Sequence, residues 1–128
     1  MTFNIPDRLQ QVLDLQKKGD IASGHSILVQ MTREARSADF QDQLLNSASE
    51  ALDDLCLMLA NKELNFKFIV VNILATVSSL NVKLCQEIVK RSDTVDEMIS
   101  IARDHKAMIQ PVRDVSGFFR NACLNRGF

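Results

Sequence analysis

The sequence holds no Trp and no Tyr, and its seven aromatic residues are all Phe. Trp, Tyr and Arg dominate the hot spots of protein interfaces, and stacked aromatics form the platforms that grip single-stranded nucleic acid. Both surfaces lack their usual anchors here. Only four Gly and two Pro punctuate the chain, too few for a turn-rich, many-stranded architecture. The three cysteines, Cys56, Cys85 and Cys123, are odd in number and show no CxxC spacing. Each stands in an apolar context where free cysteine behaves as a small hydrophobe. A disulfide or metal framework is disfavoured, and a reducing intracellular compartment, cytoplasm or nucleus, is expected.

Neither sign of charge is in excess. Fifteen Lys and Arg oppose sixteen Asp and Glu, for a formal net charge of −1, so no global field draws nucleic acid or anionic lipid. There is no Asn-x-Ser/Thr sequon, and Asp7 and Arg8 interrupt any apolar core of a signal peptide. The densest apolar stretch, residues 66–77, is too short to cross a bilayer. Catalytic signatures are missing too: His25 and His105 stand outside any HExxH, and Gly24 and Gly117 are isolated rather than part of a phosphate loop. The sequence therefore predicts no enzyme, no cofactor and no metal site.

What is present is apolar periodicity. Residues 1–128 are 46% hydrophobic and 24% charged, the composition of one globular domain, and the apolar positions recur at three-to-four spacing. An all-α chain is expected. Pro6 stands in the first turn of a helix carrying Leu9, Val12 and Leu13, and Lys17-Lys18-Gly19 ends it. Asp20 caps a second helix with Ile27, Leu28 and Met31, although Gly24 within it is a poor helix former. Ser37 or Asp39 starts a third that runs to about Ala60, with a break near Ser47 to Ser49. Residues 66–77, FKFIVVNILATV, form a helix apolar nearly all round, where only Lys67 and Asn72 resist burial. Such a helix is buried or covered by a partner. Asn81 opens a shorter helix, residues 91–94 are a turn with Thr94 and Glu97 as a capping box, and Pro111 starts the last helix, which Gly127 closes.

The helices repeat. Leu9-x-x-Val12-Leu13-x-Leu15, Leu52-x-x-Leu55-Cys56-x-Met58 and Val95-x-x-Met98-Ile99-x-Ile101 stand 43 residues apart. Ile27, Leu28 and Met31 fall on Val70, Val71 and Leu74 at the same offset, and Val71 and Leu74 fall on Val115 and Phe118 at 44. This period fits helical repeats of about 40–47 residues. An irregular bundle with a coincidental register gives the same pattern, because any two amphipathic helices share apolar spacing.

The third copy, Asn81 to Asn125, resembles an armadillo repeat. A short helix ends in Ile88-Val89, a second carries Val95-x-x-Met98-Ile99-x-Ile101, and Phe118-Phe119-Arg120-Asn121-Ala122 occupies the family's Ala-Leu-x-Asn-Leu positions. The resemblance is partial over 38–80 and faint over 1–37. Ser92-Asp93 replaces the family's preferred glycine, and Glu34 and Val77 replace its asparagine. The resemblance implies a right-handed solenoid of three units, approximately 1–37, 38–80 and 81–128, with third-helix side chains holding a peptide on the concave face.

In register, that groove takes Ser26, Gln30, Arg33 and Glu34 from the first unit, and Ile69, Ile73, Thr76 and Val77 from the second. The third unit supplies Arg113, Gly117, Arg120 and Asn121. An apolar strip of Ile69, Ile73 and Val77 flanked by arginines suits a hydrophobic helix or peptide with acidic flanks. The alternative is that 66–77 is simply a buried central helix. A protein-binding scaffold or adaptor is the leading expectation. An oligomerisation or regulatory domain is another, with weak self-association through the Phe-rich C-terminal unit. Nucleic-acid binding through gathered Lys and Arg is a third, disfavoured by the net charge.

Overall fold

A computed structural model describes residues 4–46 and 50–124 of the chain. Among the described residues eight α-helices pack together and there is no strand. They are α1 (Ile5–Lys17), α2 (Ile21–Glu34), α3 (Ala38–Leu45), α4 (Ala51–Leu57), α5 (Leu64–Leu80), α6 (Val82–Val89), α7 (Ser92–Asp104) and α8 (Ile109–Leu124). A single 3₁₀ turn, Met58–Ala60, follows α4. The expected break at Ser47 to Ser49 and the closing Gly127 lie outside the described residues.

Local chemistry sets the helix ends. Asn4, Asp20, Ser37 and Asn81 each accept a hydrogen bond from a backbone N–H three residues on, at 3.1–3.2 Å. Each satisfies one of the first-turn donors that have no partner within their helix. At the end of α1, Gly19 takes φ +82°. Its N–H donates to the Gln16 carbonyl and that of Asp20 to the Leu15 carbonyl, at 3.0 and 2.9 Å, the paired bonds of a Schellman ending. One expected boundary moves: α7 begins at Ser92, after an Arg91 cap that makes no side-chain bond. Thr94 lies inside its first turn, buried, and is not a capping residue.

The centre of the molecule is α5. Its Phe66, Val70, Val71, Ile73, Leu74 and Val77 are fully buried, each burial contributing about 1.5–3 kcal/mol relative to exposure. It packs most extensively on α8, then on α2 and α6, with the 3₁₀ turn also against it. Around it α1 packs on α2 and α4, α3 on α4 and α6, and α7 on α6, α8 and the 3₁₀ turn. Three sets at the sequence offset are core throughout: Val12, Leu55 and Met98; Leu28, Val71 and Val115; and Met31, Leu74 and Phe118.

Gly24 explains how α5 comes so close. A Cβ at that position would lie 3.1 Å from the Phe66 Cζ and 3.5 Å from Val12 Cγ1. The poor helix former in the middle of α2 is the notch that receives a core phenylalanine. Polar clasps join distant segments in addition: Gln16 and Asn61 exchange two amide bonds of 2.9 Å, and Asn72 donates to the Asp114 carboxylate at 3.2 Å. Arg91 bridges to Asp53 at 2.9 Å, and Lys67 approaches Glu97 at 3.8 Å.

Candidate functional site

α5 lies against both α2 and α8, and the open positions of these three helices make one candidate surface. From α2 it takes Ser26, Gln30 and Arg33, all exposed. From α8 it takes Arg113 and Arg120, exposed, with Gly117 and Asn121 half-buried. From α5 come Ile69 and Thr76, both half-buried.

Ile73 and Val77 do not belong to it. Both are 0% exposed, so the expected apolar strip of Ile69, Ile73 and Val77 reduces to Ile69 alone. The reason is positional. Phe66, Val70, Ile73 and Val77 recur at three-to-four spacing, which puts them on one flank of the helix, and Phe66 of that flank reaches Gly24 of α2. The opposite flank, with Asn72, meets α8 through Asp114. What α5 leaves open is the narrow stripe of Asn65, Ile69, Thr76 and Leu80 between its two neighbours. Leu80 is half exposed.

The residue that sequence reasoning passed over is Asp114. It is half-buried, accepts from Asn72 at 3.2 Å and Gln110 at 2.8 Å, and so is fixed beside the arginines of α8. Burial raises its carboxyl above the usual aspartate value, while the two amide donors and Arg113 pull in the opposite direction. Asn72 was the available signal, as a polar residue inside the most apolar stretch of the chain. Glu34 is also engaged, 3.8 Å from Arg8.

A cleft of about 550 Å³ lies elsewhere. It is bounded by Asp53, Cys56 and Leu57 of α4, Leu59 and Ala60 of the 3₁₀ turn, and residues 90–94 and 97 around the start of α7. None of its walls comes from α2, α5 or α8. Cys56 lines it, but burial pushes that thiol up, more than the Thr94 hydroxyl and Arg91 lower it. A thiol held protonated is a poor nucleophile. Arg91, the cation that acts on it, is already committed to Asp53 and to the Glu87 carbonyl at 2.8 Å. Volume alone therefore does not make this cleft a reaction centre.

Among the described residues no three His, Cys, Asp or Glu side chains gather as a metal site. His105 packs edge-on against Phe68, ring centroids 5.4 Å apart. No described helix is long and apolar enough to cross a membrane. No protein-family model matches the chain, and neither a curated protein nor a solved structure does.

Proposed function

We propose that the chain is an armadillo-like stack of three helical units whose function is to hold a segment of a partner protein, without catalysis, along the outward face of α2, α5 and α8. Several observations support the stack. Three sets of residues at offsets of 43 or 44 are buried alike, Val12 with Leu55 and Met98, Leu28 with Val71 and Val115, and Met31 with Leu74 and Phe118, and helices of equivalent rank pack on one another: α2 on α5 on α8, α1 on α4, and α3 on α6. Units that bury their apolar faces against neighbours leave an elongated surface suited to an extended ligand.

The observation that carries the binding assignment is the contrast along that surface. Its core-side positions are fully buried, whereas Ser26, Gln30, Arg33, Arg113 and Arg120 stand in equivalent outward columns and are exposed. Ile69 sits between them as a half-buried apolar anchor. An ordered row of polar side chains around such an anchor matches the polar-rim, apolar-centre anatomy of a recognition surface.

The test is selection of binders from a displayed random-peptide library, followed by competition with variants. Selected peptides are expected to lose about tenfold or more in affinity on Ile69→Asp, a central interface loss of over 1 kcal/mol. The same peptides should keep their affinity on Leu57→Asp, at the rim of the large cleft. Peptides indifferent to Ile69→Asp and lost on Leu57→Asp would move the binding site to the cleft and overturn the assignment.

A further inference from the structure

Resting on that binding reading, we infer that the partner's main chain crosses α8 at Gly117, where the missing side chain leaves a notch for its close approach. Glycine is the poorest helix former after proline, so a glycine in mid-helix calls for a reason. The structure supplies one at two of the three described glycines. Gly19 takes φ +82° at the end of α1, and Gly24 makes room for Phe66, whose Cζ a Cβ would approach to 3.1 Å. Gly117 has neither reason. It stands in the middle of α8 with no left-handed backbone. Among the described residues, a Cβ built on it would meet nothing within 4 Å beyond its own stretch of helix. Alanine would fit there and would hold the helix better.

The empty space lies on the binding face. Asp114, Gly117 and Asn121 recur at three-to-four spacing and share one side of α8, and Asp114 accepts from Asn72 of α5 at 3.2 Å. Gly117 therefore stands along the seam of α5 and α8, the two helices that pack most extensively. The equivalent positions of the other units, Gln30 and Ile73, carry long side chains, so within this column the notch belongs to α8. Side chains that anchor an interface fill pockets. Gly117 lines neither the cleft of about 550 Å³ nor those of about 230 and 170 Å³. Half-buried on a helix surface, it makes a shallow notch and not a hole. Such a place suits the close approach of another backbone, which only a residue without a Cβ allows.

The experiment uses the full chain and those library-selected peptides that lose affinity on Ile69→Asp. Gly117→Ala is expected to raise the unfolding midpoint by a few degrees, because alanine favours the helix. It should nevertheless weaken these peptides about tenfold or more, because the added methyl meets a closely placed main chain. Ser116→Ala, exposed on another side of α8, should leave their affinity unchanged. A stabilised Gly117→Ala chain that binds as well as the parent would overturn the notch and leave the binding face standing. A destabilised one would give Gly117 a role in the fold, and equal weakening by Ser116→Ala would make the effect one of α8 at large; either overturns the inference. Each peptide is also scanned with alanine against the parent and Gly117→Ala, and no truncation is expected to restore binding to the variant. Rescue by truncating one peptide residue would place a side chain in the notch and overturn main-chain docking. A selection that yields no peptide sensitive to Ile69→Asp would overturn the binding face itself, and the notch with it.

Discussion

Asp114 is half-buried where α8 meets α5, with one carboxylate oxygen accepting from Asn72 and the other from Gln110. Burial penalises its charged form, so the folded-state pKa lies above the ordinary value of 3.8. The sign follows from proton linkage. Between the unfolded and folded values the native state holds more protons, so stability falls as pH rises through that window and stays lower above it. Asp114→Asn keeps the volume and one acceptor while removing the charge. It should raise the unfolding free energy slightly at pH 7, by under about 1 kcal/mol after solvent screening. The gain should shrink to nothing as pH falls below about 4, where aspartate is protonated in both states. Thermal unfolding of the two proteins across pH 3 to 8 measures it, and a variant less stable at pH 7 would show that the hydrogen bonds outweigh the burial. No periodicity argument finds this residue, because a carboxylate held by two amides depends on which helices become neighbours.

At the scale of elements, the helices were legible where local chemistry decides and obscure where packing does. The caps at Asn4, Asp20, Ser37 and Asn81, and the glycine ending of α1, use side chains within a few residues of the backbone they satisfy, so the sequence displays them. Residues 92–94 misled because Ser, Asp and Thr are all plausible caps, and the burial of Thr94 beside Cys56 favours a helix that has already begun. Gly24 had no local explanation, since its partner Phe66 is 42 positions away and on another helix. Gly24→Leu places a side chain where Phe66 Cζ and Val12 Cγ1 already stand, and overpacking of this kind costs about 1–3 kcal/mol or more. Its unfolding midpoint should fall by several degrees, while Ala22→Leu, exposed on the same helix, should leave it nearly unchanged. Equal midpoints would mean that α2 and α5 do not meet at Gly24.

For the whole molecule, the question is which side of α5 is closed. Gln30, Arg33, Arg113 and Arg120 are exposed on helices that flank α5. The sequence offset misplaced Ile73 and Val77, because neighbouring helices decide which positions are covered. Their counterparts on α2, Gln30 and Glu34, are polar at the first unit, whereas α5 is covered on both flanks and turns the same columns apolar. Three residues along α5 separate a residue sealed in the core from one on the open stripe: Ile73 is 0% exposed and Thr76 is half-buried. The most direct measurement is therefore thermal unfolding of Ile73→Glu and Thr76→Glu beside the parent chain. An unpaired carboxylate at Ile73 should cost several kcal/mol, most of a typical domain's stability, while Thr76→Glu, on the half-buried stripe, should keep its midpoint within a few degrees. Collapse of the Thr76 variant, or survival of the Ile73 variant, would contradict the account by closing the proposed face or opening the core.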